Sequence, residues 1–396
     1  MSDTAQTASW RTWIDRNLQG DWGIWFIVMA LCFISVLVVY SATGTLAYKR
    51  MEGDTEYYLL RHGSLVILGL LFMWGAHKLD YRWYATLSRL ALVLSVPLLI
   101  YAWKFGDTLN DASRWITIPL IQQSFQPSDL AKLALISHVA LMLAKRQEKI
   151  SNPYETFLPI LGWCFVICVL IAMSNYSTAM LLFATCMLLM FIGRVPTKYL
   201  AMLVGVGLVG GLLAGSIGER GATFISRIEA FRESFSDPDK VPFQAQQSYI
   251  AVASGGIKGK GPGHSDQRDF LPHPYSDFIY AIIVEEYGMI GGVGVLALYL
   301  VLLYRGLVVA SQTTDAFGGL LAAGLSFSLV LQALTNMAVA VGLVPITGQP
   351  LPLLSMGGTS LLFTGISLGI ILSVSKGKPV TENKRSKTNG RRKAIA

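Results

Sequence analysis

The sequence predicts an all-α, polytopic membrane protein with about ten transmembrane helices and a large extracytoplasmic loop before the eighth. Three observations carry that expectation. The 396 residues are 53% hydrophobic and only 14% charged. The mean hydropathy is +0.50. Apolar runs close to the ~20 residues needed to cross a hydrocarbon core recur along the chain. An ordinary soluble enzyme is excluded by that composition.

Residues 1–21 are polar and read as a cytoplasmic N-terminal segment, in which WRTWIDRNL suits a short helix on the membrane surface or a disordered lead. The first apolar run is long enough to span, so a cleaved signal peptide is not expected. Spans are expected near 22–43, 63–78, 84–103, 128–144, 157–173, 178–193, 199–217, 278–304, 317–341 and 355–375, together forming a transmembrane domain over 22–376. Arg82, Lys145, Arg146, Lys149, Arg194, Lys198 and Arg305 fall in the short connections. They put that side, both termini and the basic tail 377–396 in the cytoplasm of a cytoplasmic (inner) membrane protein. The tail touches anionic lipid or a cytoplasmic partner, or serves only as a positive-inside signal. No nucleic-acid partner is expected. Cys32, Cys164, Cys168 and Cys186 all lie in apolar runs and read as small hydrophobes, neither disulfide nor metal ligands.

Three longer connections then face outward, and the third, 216–276, is long enough to have its own structure. Within it Gly255, Gly256, Gly259, Gly261 and Gly263 surround Lys258 and Lys260. Such a loop can bring its backbone close to a phosphate or pyrophosphate. A flexible connection with solvated lysines explains the same residues, and no P-loop pattern is present.

Asp277 stands at the start of the eighth span. A helix cap would account for it, whereas an acid at the membrane surface also suits a general base. Glu285 and Glu286 follow about two turns later, where ionised carboxylates are costly unless paired or wet. Glu285 falls on nearly the same helical face as Asp277. Arg114 in DASRW and Lys132 in QPSDLAKLAL are the cations able to answer these acids, although Lys132 can also snorkel to the surface. One cavity shared by Arg114, Lys132, Asp277 and Glu285 is the expectation. The segment 336–360, with three prolines and four glycines after the ninth span, reads as a loop re-entering at membrane depth and framing a groove.

Taken together, VVYSATG, ASRWI, QPSDLAK, QQSYIAVASGGIKGKG, FLPHPYSDFIYAIIVEEYG and ITGQPLPLLSMGGTS, in this order through nearly the whole chain, resemble the SEDS family of shape, elongation, division and sporulation proteins. The resemblance implies a ten-helix peptidoglycan glycosyltransferase that polymerises lipid II into glycan strands, inverting at the anomeric carbon. It puts the essential acid on Asp277 and substrate-binding roles on Arg114, Lys132, Lys258, Glu285, Glu286, Gln247 and Ser248. A divalent cation (Mg or Mn) is a further expectation, and no protein metal site is assigned. The implied partners are a class B penicillin-binding transpeptidase and other divisome or elongasome membrane proteins. LQALTNMAVA and the basic tail are more similar to the family's division members, of the FtsW kind, than to its elongation members, of the RodA kind. Two departures stand out: NYST (175–178) replaces the family's usual Pro-Asp-Leu-Gly, and Met356 replaces a tyrosine. The rival reading is a lipid II flippase, whose site would lie near the midplane. The charges here gather instead toward the outer ends of the fourth and eighth spans.

Overall fold

The computed structural model describes residues 17–44, 55–109, 112–118, 123–150, 152–216, 219–271 and 274–377. The N-terminal surface helix and nearly all of the basic tail lie outside the described residues. The elements are α1 (Trp22–Ala42), α2 (Thr55–Lys78), α3 (Trp83–Phe105), β1 (Asp107–Leu109), β2 (Ala112–Ile118), β3 (Gln123–Phe125), α4 (Pro127–Lys145), α5 (Leu158–Ala172), α6 (Tyr176–Ile192), α7 (Thr197–Ser216), α8 (Glu219–Ser234), α9 (Phe243–Gly255), α10 (Ile279–Gln312), α11 (Ala316–Ala340) and α12 (Gly358–Ser375). Eight of the expected spans fall on helices long and apolar enough to cross a bilayer, and α6, at 17 residues, is apolar but shorter. The remaining expected span falls on α7. The chain is a multi-pass helical membrane protein.

Three helices start where a side chain satisfies a free amide. Asp21, Asn175 and Asp315 cap α1, α6 and α11 by accepting from Ile24, Thr178 and Gly318 amides. Pro127 opens α4, where its missing N–H costs nothing. In the most apolar stretch of α4, 72% of the residues are buried against 28% in α3, so α4 belongs to the bundle centre and α3 to its rim. α11 and α12 are central in the same sense. Helices α2 and α12 pack with backbones nearly touching: a Cβ on Gly365 would sit 2.3 Å from the Gly69 carbonyl oxygen, and one on Gly369 would sit 2.3 Å from that of Met73. Small residues at such a seam bring helices together where lipid offers no hydrophobic drive.

Two connections carry structure, the first unexpected and the second as expected. The connection after α3 holds a three-stranded antiparallel sheet in the order β1-β2-β3. The run Trp115-Ile116-Thr117-Ile118 is β-prone by side-chain branching, a signal masked by the polar residues around it. The long connection between α7 and α10 carries two helices, α8 and α9, with α9 laid against α10. It has structure of its own, as its length suggests.

Candidate active site

Asp277 lies in the turn just before α10, where the N-cap position is taken by Phe278; capping does not account for the acid. Its segment is clamped through three successive main-chain carbonyls. Tyr275 O accepts from the Met356 amide at 2.8 Å, Ser276 O from Ser355 Oγ at 2.6 Å, and Asp277 O from Asn336 Nδ2 at 2.8 Å. Asn336 also donates to Gln349 O at 2.7 Å, and Gln349 Nε2 donates to Thr178 Oγ1 at 2.8 Å. Each bond satisfies a group that burial would otherwise strand. The carboxylate itself accepts from Ser276 Oγ at 3.1 Å. Gly348, at φ 65°, passes so close that a Cβ there would lie 3.6 Å from Asp277 Oδ2.

The side chain of Asp277 opens into a cavity of about 300 Å³. Lys132 lines the same cavity, pairing with Asp129 at 2.8 Å and donating to Gln332 Oε1 at 3.3 Å. Gln332 in turn donates to Pro350 O at 2.9 Å, which ties the lysine to the loop between α11 and α12. Asp129 Oδ2 is buried at the wall with no hydrogen-bond partner among the described residues. The loop supplies Gly348–Pro350 and Met356–Gly358 to the rim, so it frames the groove as expected, although residues 336–340 are still helix. Trp115 of β2 and Asn175, the first residue of the NYST departure, also line the wall.

Sequence reasoning missed Arg61, a cation on α2 that lines the cavity. A lone arginine near the start of a span carries no local signal of that placement. Arg114 lies on β2, and its side chain lies outside the described residues.

Glu285 and Glu286 are not among the cavity's lining residues; the expected single cavity does not include them. Both are fully buried, in a separate network on the other side of the first turns of α10. Glu285 accepts from Lys260 Nζ at 2.6 Å, Ser265 Oγ at 2.5 Å and the amides of Asp266 and Gln267 at 3.2 and 3.3 Å. Glu286 accepts from Ser41 Oγ of VVYSATG. Lys260 also pairs with the exposed Asp266 at 2.8 Å, so the cation that answers the buried Glu285 reaches the surface. Hydrogen bonding to Asp266 and then to Glu285 holds the Lys260 ammonium above its ordinary pKa, and the same contact holds Asp266 below its own.

The glycine loop has a structural task in this network. Gly288, at φ 68° and ψ −171°, breaks α10 and frees main-chain groups on either side. The loop takes them: Lys260 and Gly261 amides donate to Glu285 O and Glu286 O at 2.9 Å each, and the Met289 amide donates to Gly256 O at 2.9 Å. A Cβ on Gly259 would lie 2.2 Å from Glu286 O, and one on Gly288 would lie 2.2 Å from Ile257 O. Glycine is required at both because φ is positive and the two backbones touch. Lys258 is exposed and away from the cavity. Gln247 is half-buried on α9 and does not line it. Ser248 is fully buried and donates to Ala340 O at 2.8 Å, tying α9 to the end of α11.

Residues 21–379 match the cell cycle protein family that groups FtsW, RodA and SpoVE. The chain is 36% identical to a probable peptidoglycan glycosyltransferase FtsW of Geobacter sp. (strain M18), covering 91% of this chain and 98% of that one. It is 33% identical to stage V sporulation protein E of Bacillus subtilis (strain 168), covering 88% and 95%. Among solved structures it resembles Thermus thermophilus rod shape determining protein RodA (TM-score 0.65, 26% identity, covering 90% and 97%). It also resembles a chain of a peptidoglycan synthase complex that coordinates polymerization and crosslinking (TM-score 0.70, 26% identity, covering 90% and 98%). With this match running through the cavity, the clamp and the glycine loop alike, the chain belongs to the FtsW/RodA/SpoVE family.

Proposed function

We propose that the protein is a peptidoglycan glycosyltransferase that polymerises lipid II at the outer face of the cytoplasmic membrane. The observation that carries this reading is that Asp277 and Lys132, 145 residues apart in the chain, line one cavity. Polymerisation joins an acceptor sugar hydroxyl to the anomeric carbon of a donor whose leaving group is a polyprenyl pyrophosphate. Asp277 takes the hydroxyl proton as the new C–O bond forms, while the old anomeric C–O bond breaks toward the pyrophosphate. Lys132 and Arg61 meet the charge that develops on that leaving group, and Arg114 is proposed as a third cation. A single direct displacement inverts the anomeric centre and needs no covalent enzyme intermediate.

No group of three or more acid, histidine or cysteine side chains suited to a metal occurs among the described residues. A magnesium-like ion arriving with pyrophosphate needs only one or two carboxylates. Asp129, with its unpartnered buried oxygen, fits that demand and would hold an ion that neutralises phosphate charge.

The family's transpeptidase partnership is proposed for this chain as well, with a class B penicillin-binding protein crosslinking the strands. The relatives named FtsW support septal synthesis over an elongation role. The test supplies purified protein, alone and with its transpeptidase, with lipid II and scores glycan polymer with and without Asp277→Asn. Polymer from wild type but not from the variant is expected. Full activity of the variant would reject Asp277 as the base, and lipid II crossing vesicles without polymer would favour transport.

A further inference from the structure

A second cavity opens at the other end of α4, roughly 20 Å of helix beyond Lys132. It has a volume of about 300 Å³ and is lined by Arg89 of α3, by His138 and Lys145 of α4, by Arg146 just beyond that helix, and by Trp163 of α5, among others. Three permanent or near-permanent cations share this wall, and no carboxylate does. Among the described residues no ion pair joins Arg89 or Lys145 to an acid. Arg146 donates to a main-chain carbonyl, that of Glu155, which leaves its charge in place. His138 stacks edge-on to Trp163 with ring centroids 5.9 Å apart, and its buried Nδ1 has no hydrogen-bond partner among the described residues. Like charges gathered in a partly enclosed site repel one another and attract an anion. Guanidinium groups favour phosphate oxygens in particular.

The surroundings say which kind of phosphate. One helical turn from Arg89 and from Trp163, toward mid-bundle, lie Val93 and Val166. Both are exposed, on helices that pack against each other. A free phosphate gains nothing from that apolar surface, whereas acyl chains cover it. Lys145 and Arg146 belong to a connection that the positive-inside rule puts in the cytoplasm, where the leaflet is anionic, and Arg89 lies about two turns into α3 from its Trp83 end.

We propose that this cavity binds the phosphate of an anionic phospholipid, with its acyl chains running over Val93 and Val166. A phosphate group is the chemistry that lipid and free anion share, and the experiment separates the two. The full-length protein is delipidated in detergent and titrated with phosphatidylglycerol, phosphatidylcholine or inorganic phosphate, and retained lipid is counted by native mass spectrometry. Wild type should retain phosphatidylglycerol over phosphatidylcholine by roughly fivefold or more. Arg89→Gln with Lys145→Gln should lose that preference. Lys104→Gln with Lys240→Gln, cations elsewhere on the surface, should keep it. Arg89→Gln alone, at an exposed side chain, gives an intermediate loss should the double variant fold poorly. Equal retention of phosphatidylglycerol by wild type and the Arg89 variants would overturn the proposal. So would inorganic phosphate displacing the lipid completely, which would make this a free-anion site.

Discussion

Asn336 donates its side-chain amide to the main-chain carbonyl of Asp277 at 2.8 Å, across 59 residues of sequence. Through the same nitrogen it also holds Gln349 O. The carboxylate proposed to act as base is thus fixed through its own backbone, by a residue that need not touch substrate. Ser355 and Met356 complete the hold on the two preceding carbonyls.

Replacing Asn336 by Leu removes a donor from two main-chain carbonyls, those of Asp277 and Gln349. The expected cost is about 1–3 kcal/mol in stability, read as a lower midpoint in thermal unfolding. Lipid II turnover should fall through kcat with KM little changed, because the base is displaced while the substrate's contacts remain. An unchanged kcat with the stability loss present would mean that Asn336 is structural only.

Asp277→Asn keeps size and shape and removes the proton acceptor. Polymerisation should drop by about 10²–10⁴-fold, with the unfolding midpoint close to that of wild type. Gel analysis of glycan chains from labelled lipid II reads the first, and calorimetry the second.

The two lysines named from sequence should behave differently. Lys132→Met removes a cation from the cavity wall and should lower kcat by roughly 10²–10³-fold. Lys258→Met alters an exposed side chain outside the cavity and should leave kcat within about twofold. Equal losses in the two variants would mean that the loop reaches the substrate after all.

Gly288→Ala and Gly294→Ala form a matched pair on α10. At 288 the new Cβ meets Ile257 O at 2.2 Å in a positive-φ backbone, whereas at 294 nothing lies within 4 Å. The first should cost more than about 2 kcal/mol and free the loop for proteolysis near Lys258. The second should be neutral or gain up to about 1 kcal/mol from lower chain entropy in the unfolded state.

Docking of that loop should depend on pH only at the extremes. The Lys260 pKa is raised by its acidic partners, so its stabilising share is complete below the unfolded lysine value and is lost as pH rises through the higher folded one. The Asp266 pKa is lowered by Lys260, so its share is complete above the unfolded aspartate value and is lost as pH falls through the lower folded one. Proteolytic protection of residues 255–268 should therefore stay flat from about pH 5 to about pH 10. A transition near neutrality would show that another group controls docking.

Hydropathy alone located the helical spans, because a bilayer admits only long apolar helices whose backbone groups are satisfied within the segment. The sequence likewise singled out Asp277 and Lys132, since charges next to or inside apolar runs are costly unless capped, paired or snorkelled to water. It also marked the segment after α11 as a groove-forming loop from its prolines and glycines. The tertiary structure decided which charges meet. Glu285 shares a helix with the residues that follow the Asp277 turn yet closes on Lys260 and the glycine loop, because the break at Gly288 leaves main-chain groups that the loop takes up. Arg61, Asn336 and Ser355 join the site from segments far away in the chain, and no periodicity or spacing encodes a contact made across such separations. Local sequence sets which residues must be buried or capped, whereas the choice of partner depends on how whole helices pack.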